Sequence, residues 1–516
     1  MNGAELLIKT AIASGIEVCF TNPGTTEMPL VMALDGVPGI RTILGLFEGV
    51  CTGAADGYGR MTGKPAMTLV HLGPGFANGV GNLHNARRAR TPVLNLIGEH
   101  ATWHRAVDPP LHMDIEALTA VVSGWHRTCG SVETISGDVT DAIIASLQGQ
   151  ISSLIVPHDH QLAESKGKVA ALPAFSSRRP DEGAVEKATM ILRQRSRSLL
   201  MLGGRALSKN GLAAAARIKA VTGCDLFTET FPSCWERGAG LPVVERTLYQ
   251  PGQSNTLREY PAVILAGMEE PVTFMGLKGF DSRILGRDQE KVSLAAPGQD
   301  VVGALERLAD ALSAPNGSRL PKGLLAEFQP PALPGGKLTV AKACQTLAAL
   351  QPEGAIVVDE GITSSSAYLP VTQRVAAHTM FTIGGGSLGW GMPCAIGAAV
   401  ACPDRPVIGF QGDGSTMYTV QALWTQAREA LNITTLVLSN RSYHALQLNL
   451  DRFGITSPGP VAKAVTELER PSIGWVKIAQ GLGVPAVSVA TAEELAREIR
   501  IALAESGPHL IEMVLQ

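Results

Sequence analysis

The chain has 516 residues and a mass of 54.1 kDa, and at about 100–200 residues per domain this length excludes one small module and predicts about three domains. Hydrophobic residues make up 45% and charged residues only 17%, which excludes intrinsic disorder and requires a large buried core. The 43 Lys+Arg against 46 Asp+Glu leave a net charge of −3. That field is too weak to draw the protein onto nucleic acid or an anionic membrane, so small molecules and other subunits are the expected partners.

The opening stretch, MNGAELLIKTAIASG, carries charges among its apolar positions and no apolar core of signal-peptide length, which predicts a cytoplasmic protein. Residues 20–27 (FTNPGTTE) read as a strand, a tight Pro-Gly turn and a helix opening, with Thr and Glu placed as caps. Leu46-Phe47-Glu48-Gly49 then leads into the small-residue helix TGAADGYGRMTG. A carboxylate between apolar residues at such a strand end is either a helix-capping group or a buried acid.

Short apolar, β-branched runs follow at 66–71, 93–98, 151–157, 198–203, 262–267, 355–359, 406–411 and 434–439, alternating with amphipathic stretches. Runs of this kind fit strands covered on both faces, and helices between them make parallel βαβ units. His71 ends the first run; a single histidine there is more often structural than catalytic. His112, in PPLHMD, is a candidate pocket residue, whereas His158 and His160 flank Asp159 just past a strand and read as surface groups rather than metal ligands. Stretches 164–186 and 313–337, rich in Pro, Ser and Gly, read as linkers. They divide the chain into blocks 1–163, 185–312 and 338–516 and predict an α/β fold of three doubly wound parallel-sheet domains. Eight cysteines stand singly in apolar segments and read as buried thiols. The uncharged stretch 375–403 holds six glycines and Pro393, so it reads as a buried turn between strand and helix rather than a membrane span.

The strongest local pattern lies in the third block. A strand runs into Gly412-Asp413-Gly414-Ser415, a helix is expected over about 420–431, and a second strand ends in Asn440, 27 positions after Asp413. Asp413 and Asn440 then share the carboxyl edge of one sheet, where open α/β sheets bind ligands. A carboxylate, an amide oxygen and a nearby backbone carbonyl suit the oxygen-only coordination of Mg²⁺, and the glycines let backbone N–H groups approach a phosphate.

This pattern resembles the thiamine-diphosphate (ThDP) fingerprint of the pyruvate decarboxylase and acetolactate synthase superfamily, closest to benzoylformate decarboxylase, and the resemblance spans nearly the whole chain. It implies that the three domains are pyrimidine-binding, central and diphosphate-binding. It further implies that Asp413, Asn440 and the Ser442 carbonyl ligate Mg²⁺, while Gly412, Gly414, Ser415, Ser365 and Tyr443 help hold the cofactor. The family usually has two asparagines at the second motif; here the first is Ser439. The same resemblance implies that Glu48 hydrogen-bonds N1′ of the aminopyrimidine, that Thr25 lines the substrate pocket, and that His71 binds the substrate carboxylate and transfers protons. In the turn 384–393 (GGGSLGWGMP) the Gly386 carbonyl matches the acceptor for the 4′-amino group and Leu388 the apolar buttress behind the bent cofactor. The activity implied is decarboxylation of a 2-oxo acid, with release of an aldehyde or carboligation to a second carbonyl. Because the family pairs the pyrimidine domain of one subunit with the diphosphate domain of another, a homodimer is the minimum and a homotetramer the expected assembly.

Three departures keep alternatives open. The turn also satisfies GxGxxG, with Asp404 18 positions after Gly386, as a dinucleotide-binding oxidoreductase would require; Pro393 is expected to interrupt the helix that such a motif needs. Benzoylformate decarboxylase brings a second histidine from its central domain, but here none occurs between His160 and His378, which favours carboligation or C–C cleavage over efficient aldehyde release; a noncatalytic relative that keeps the cofactor scaffold is a further alternative. Leu202-Gly203-Gly204-Arg205 leaves FAD an option for the central block that a glycine pair alone does not favour.

Overall fold

The computed structural model describes every residue except 173–178, 196, 249–255, 277, 316–319 and 516; part of each expected linker lies outside the described residues. The first sheet is assembled from β1 (Val18–Asn22), β2 (Arg41–Leu44), β3 (Ala66–Val70), β4 (Val93–Glu99), β5 (Trp125–Thr128) and β6 (Ile151–Pro157), in the order β2-β1-β3-β4-β6-β5. All its pairings are parallel. Its inner strands β3, β4 and β6 are buried along their whole length, as continuous apolar runs dictate when helices cover both faces.

The second sheet takes β7 (Ser198–Leu202), β8 (Asp225–Thr228), β10 (Glu245–Arg246), β11 (Ala262–Ala266) and β12 (Glu290–Ala295), ordered β10-β8-β7-β11-β12 and parallel throughout. The third contains β13 (Ile356–Glu360), β14 (His378–Thr382), β15 (Val407–Gly412), β16 (Ile433–Ser439), β17 (Ala486–Val489) and β18 (His509–Val514). The strand that completes it is β9 (Trp235–Arg237), contributed from within the middle block and paired antiparallel to the edge strand β14. Thr379 Oγ1 donates to Glu236 (2.7 Å), and the Arg237 guanidinium lies 4.1 Å from the Trp235 ring while donating to the Leu369 carbonyl. The three α/β sheets agree with the expected fold, and the eight expected strands lie within a residue of their predicted ends.

Two expectations about helices are corrected. No continuous helix spans 420–431: β15 passes directly into a helical turn, Asp413–Thr416, then a 3₁₀ turn, Met417–Thr419, and a short helix, Ala422–Arg428. Pro393 does not interrupt the helix after the glycine turn, because that helix is Gly391–Ala401 and its first-turn N–H groups have no intrahelical acceptor to lose. Among the described residues no helix is long and apolar enough to cross a membrane. All eight cysteines are free, and six are buried.

The first and third sheets are joined by helix Glu48–Thr62 lying on helix Gly391–Ala401. A Cβ at Gly57 would stand 2.0 Å from the Cys394 carbonyl, and one at Gly397 would stand 1.9 Å from the Ala54 carbonyl, so the small residues of both helices are what allows backbone to touch backbone. A buried ionic knot reinforces this contact. Asp56, fully buried, accepts from Arg60 Nη2 (2.8 Å), Arg60 Nε (3.0 Å), Thr91 Oγ1 (2.5 Å) and Trp390 Nε1 (2.6 Å). Arg60 also donates from Nη1 to the carbonyls of Ser233 and Thr382 and stacks over Trp390, so one guanidinium ties residues of all three blocks.

Candidate active site

At the carboxyl edge of the third sheet, β15 ends at Gly412 and β16 at Ser439, which brings Asp413 and Asn440 to neighbouring loops. Asp413 is 4% exposed and accepts from the backbone N–H of Gly414 (2.8 Å) and of Arg441 (2.6 Å). Burial holds its carboxyl above the usual aspartate range. Asn440 Oδ1 accepts from the Ser442 N–H (3.0 Å), and Arg441 between them adopts φ 55°, the left-handed conformation of a sharp turn. Gly414 is required here: a Cβ would stand 2.4 Å from the Tyr443 ring. The Ser415 hydroxyl donates to the Gly412 carbonyl (3.0 Å) and the buried Ser365 hydroxyl to that of Ile362 (3.1 Å). Among the described residues no group of three or more His, Cys, Asp or Glu could hold a metal; the Asp413 loop pair is a set of another kind, one carboxylate with amide and carbonyl oxygens.

The glycine turn before helix Gly391–Ala401 has two glycines at positive φ, Gly386 (76°) and Gly389 (86°). It closes over Glu360, which the sequence reading did not single out. This carboxylate accepts from the N–H groups of Gly389 (2.7 Å), Trp390 (3.2 Å) and Gly391 (2.7 Å), and burial pushes its pKa up to about 7. From the other side the turn is held by helix Leu72–Ala89. Asn85 Nδ2 donates to the Ser387 carbonyl (2.7 Å) and Asn85 Oδ1 accepts from the Ser387 N–H, while Asn82 Nδ2 donates to the carbonyls of Gly389 and Gly49. Leu388 is half-buried against the core shared by the first and third sheets.

One turn earlier on that helix, Asn78 Nδ2 donates to Glu48 Oε2 (3.0 Å), and Asn22 Nδ2 from the end of β1 donates to Oε1 (3.1 Å). Asn78, Asn82 and Asn85 fall at spacings of four and three, one face of the helix; that periodicity was the available signal for a functional stripe. Glu48 is 6% exposed and opens its helix. His71 follows β3, and its Nδ1 lies 2.8 Å from Glu27 Oε2. Glu27 is fully buried and also accepts from the Gly24 N–H (2.8 Å) and the Thr26 hydroxyl (2.6 Å). The hydrogen bond to Glu27 raises the imidazole pKa of His71 above its ordinary 6.5, against the opposing effect of burial.

Residues 1–118 match the family model for the N-terminal TPP-binding domain of thiamine pyrophosphate enzymes, and residues 361–513 match that for the C-terminal TPP-binding domain. The Mycobacterium tuberculosis protein IlvX, whose name assigns it provisionally to the acetolactate synthase large subunits, is 46% identical over 518 residues, covering 100% of this chain and 99% of its own. The chain belongs to the thiamine pyrophosphate enzymes. Benzoylformate decarboxylase of Pseudomonas aeruginosa is 29% identical over 97% of this chain and 96% of its own. The ThDP-dependent 4-hydroxybenzoylformate decarboxylase of Rhodococcus jostii RHA1 shares the fold with a TM-score of 0.88, 24% identity and coverage of 100% and 99%.

In this thiamine pyrophosphate enzyme not every expected site residue gathers around His71. The hydroxyl beside His71 is that of Thr26 (3.3 Å from Nδ1), not of Thr25. Both sit in the 3₁₀ turn Thr25–Glu27, where consecutive side chains diverge by about 120°; Thr25 is exposed and faces a groove of about 710 Å³ lined by Met28, Met32, His158 and Leu162. His112 pairs with Asp108 (3.0 Å). Asp159 accepts twice from Thr102, with His160 3.8 Å away, so the 158–160 group anchors a loop. From the middle block, the Phe274 ring reaches to 3.6 Å of where a Gly386 Cβ would stand and meets Phe231 edge-on at 5.9 Å. At the crossover of the second sheet, a Cβ on Gly203 would lie 2.5 Å from that of Met268, so the two strand ends pack backbone-close at the glycine pair.

Proposed function

We propose that this enzyme binds ThDP with Mg²⁺ and catalyses the non-oxidative decarboxylation of a 2-oxo acid, releasing an aldehyde or joining the remaining fragment to a second carbonyl compound. The observation that carries this reading is Glu48, a buried carboxylate gripped by two asparagine amides at a strand end. In this reading Glu48 holds a proton toward the pyrimidine ring nitrogen, while Asp413, Asn440 Oδ1 and the Ser442 carbonyl hold Mg²⁺. Their chemistry fits, being hard oxygen donors on two loops tied together through the Arg441 N–H. Gly412, Gly414, Ser415, Ser365 and Tyr443 bracket the diphosphate, the Gly386 carbonyl accepts from the amino group, and Leu388 supports the ring. When bound, the cofactor supplies a carbon nucleophile that adds to the 2-oxo group, so that CO₂ can depart. His71, oriented by Glu27 through Nδ1, presents Nε2 to the substrate, where it hydrogen-bonds the carboxylate, which stays ionised, and passes a proton to or from the oxygen of the 2-oxo group. The enzyme works as at least a homodimer in the cytoplasm, and Thr25 meets substrate only where a second subunit closes over its exposed face.

Of these two outcomes, carboligation in the manner of acetolactate synthases, with C–C cleavage as its reverse, is favoured over aldehyde release by Phe274. An apolar ring stands beside the glycine turn, and no histidine occurs between positions 160 and 378 to deliver a proton from the middle block. Purified enzyme supplied with ThDP and Mg²⁺, a panel of 2-oxo acids and aldehyde acceptors, with products identified by mass spectrometry, separates the two. CO₂ with free aldehyde supports the first, C–C coupling products the second, and neither product from any acid overturns both.

A further inference from the structure

The loop after β4 carries a group that the reading above does not use. His71 follows β3 and His100 follows β4, adjacent parallel strands in register from Ala66↔Val93 to Val70↔Ile97, so both rings emerge at one carboxyl edge. Glu27 reaches the ends of both strands: its Oε2 bonds His71, and its Oε1 lies 1.7 Å from where a Cβ on Gly98 would be. The segment 100–113 then folds back over the start of helix Leu72–Ala89, with Met113 against Gly73 and His104 edge-on to His100 at 5.7 Å. Within this enclosure His100 Nε2 is buried and has no hydrogen-bond partner among the described residues. Glu99 Oε2 beside it is likewise buried without a hydrogen bond, although Arg105 lies at 3.7 Å. Burial lowers the His100 pKa, and the nearby charges of His104, His112 and His71 act in the same direction, against Glu99, so the ring is neutral at neutral pH and offers one N–H and one lone pair. Buried polar atoms in native proteins are almost always satisfied, and this one lies at the same sheet edge as His71.

We propose that His100 is a specificity-determining residue whose Nε2 hydrogen-bonds an oxygen on the side chain of the substrate, so that the enzyme selects 2-oxo acids bearing a hydroxyl, carbonyl or second carboxylate beyond the 2-oxo group. This rests on the reading of the site as one for 2-oxo acids. An aliphatic or unsubstituted aromatic side chain of equal size leaves the buried nitrogen unpaired, which is why sites built to hydrogen-bond reject apolar isosteres more strongly than apolar sites reject polar ones.

The test compares kcat/KM of the ThDP- and Mg²⁺-loaded enzyme for matched pairs: hydroxypyruvate and 2-oxobutanoate, 2-oxoglutarate and 5-methyl-2-oxohexanoate, 4-hydroxybenzoylformate and 4-methylbenzoylformate. Wild type is expected to favour the oxygenated member of at least one pair by about ten- to hundredfold. That preference should disappear in His100→Leu, chiefly through KM of the oxygenated acid, and return in part in His100→Gln, whose amide places a donor near the lost Nε2. Circular dichroism and melting temperature establish that both variants fold. Turnover of 2-oxo acids without a preference for oxygen, or a preference that survives His100→Leu, overturns this inference alone; no turnover of any 2-oxo acid overturns it together with the reading of the site.

Discussion

Asp56→Ala is the sharpest test of how the domains are held. The substitution strands the Arg60 guanidinium, whose side chain is 1% exposed, and removes the acceptor for Trp390 Nε1 and Thr91 Oγ1. Removing one partner of a buried ion pair costs about 3–5 kcal/mol, and each stranded buried donor about 1–3 kcal/mol. These penalties share one site and do not add in full, so about 5 kcal/mol is expected for Asp56→Ala. At about 2–4 °C per kcal/mol for units of this size, the melting temperature should fall by at least about 10 °C. Asp56→Asn, which keeps an oxygen for Trp390 or Thr91 but no charge, should fall between the two. Pairing Asp56→Ala with Arg60→Met should recover much of the loss, because an absent ion pair is cheaper than half of one. Differential scanning fluorimetry measures all four proteins. The reasoning is refuted if Asp56→Ala melts within about 2 °C of wild type, or if the double variant is no more stable than the single one.

Three further outcomes are expected. Glu48→Gln, which preserves side-chain size but leaves one of the two asparagine amides without its acceptor, should lower product formation from any 2-oxo acid by at least about a hundredfold while the protein stays folded with a melting temperature only a few degrees lower; unaltered turnover in a steady-state assay would show that Glu48 has another role. Asp413→Ala should abolish Mg²⁺-dependent retention of ThDP on a desalting column, and a variant that still copurifies with the cofactor would remove Asp413 from the metal site. For Glu27→Gln the sign follows from His71: its folded pKa is raised, so the stabilisation is fully present below about 6.5 and is lost as pH rises through the folded value. The variant should therefore lose more melting temperature at about pH 6 than at about pH 9, and an equal or reversed loss would contradict the assigned partner.

What was legible in the sequence is what local pattern encodes. Continuous apolar runs such as 93–98 and 151–157 have only one use in an α/β chain, so their strands emerged with accurate ends. Asp413 and Asn440 could be brought together because strand, helix and strand between them fix their edge of the sheet. Glu360 escaped notice because its donors come from a turn 29 to 31 positions away, and nothing local announces that a strand-terminal acid will cap a helix of the next unit. Thr25 and Thr26 are chemically alike and adjacent, and only the pitch of a 3₁₀ turn decides which one meets His71. The helix expected over 420–431 is shorter, Ala422–Arg428, because the chain turns at both of its ends, and periodicity does not report where a turn takes over.

The strand β9 sets a limit on how this chain can be taken apart. It leaves the middle block to lie along β14, at the edge of the third sheet. A fragment beginning near residue 338 would retain every parallel strand of the third sheet yet expose a row of unsatisfied N–H and C=O groups along β14, an edge open to pairing with other chains. The third sheet is thus capped by its own upstream sequence, and excising the C-terminal block as a module should yield a sticky fragment rather than a free domain. Carrying residues 235–237 with it, through a tether from the middle block, is the minimum that closes that edge.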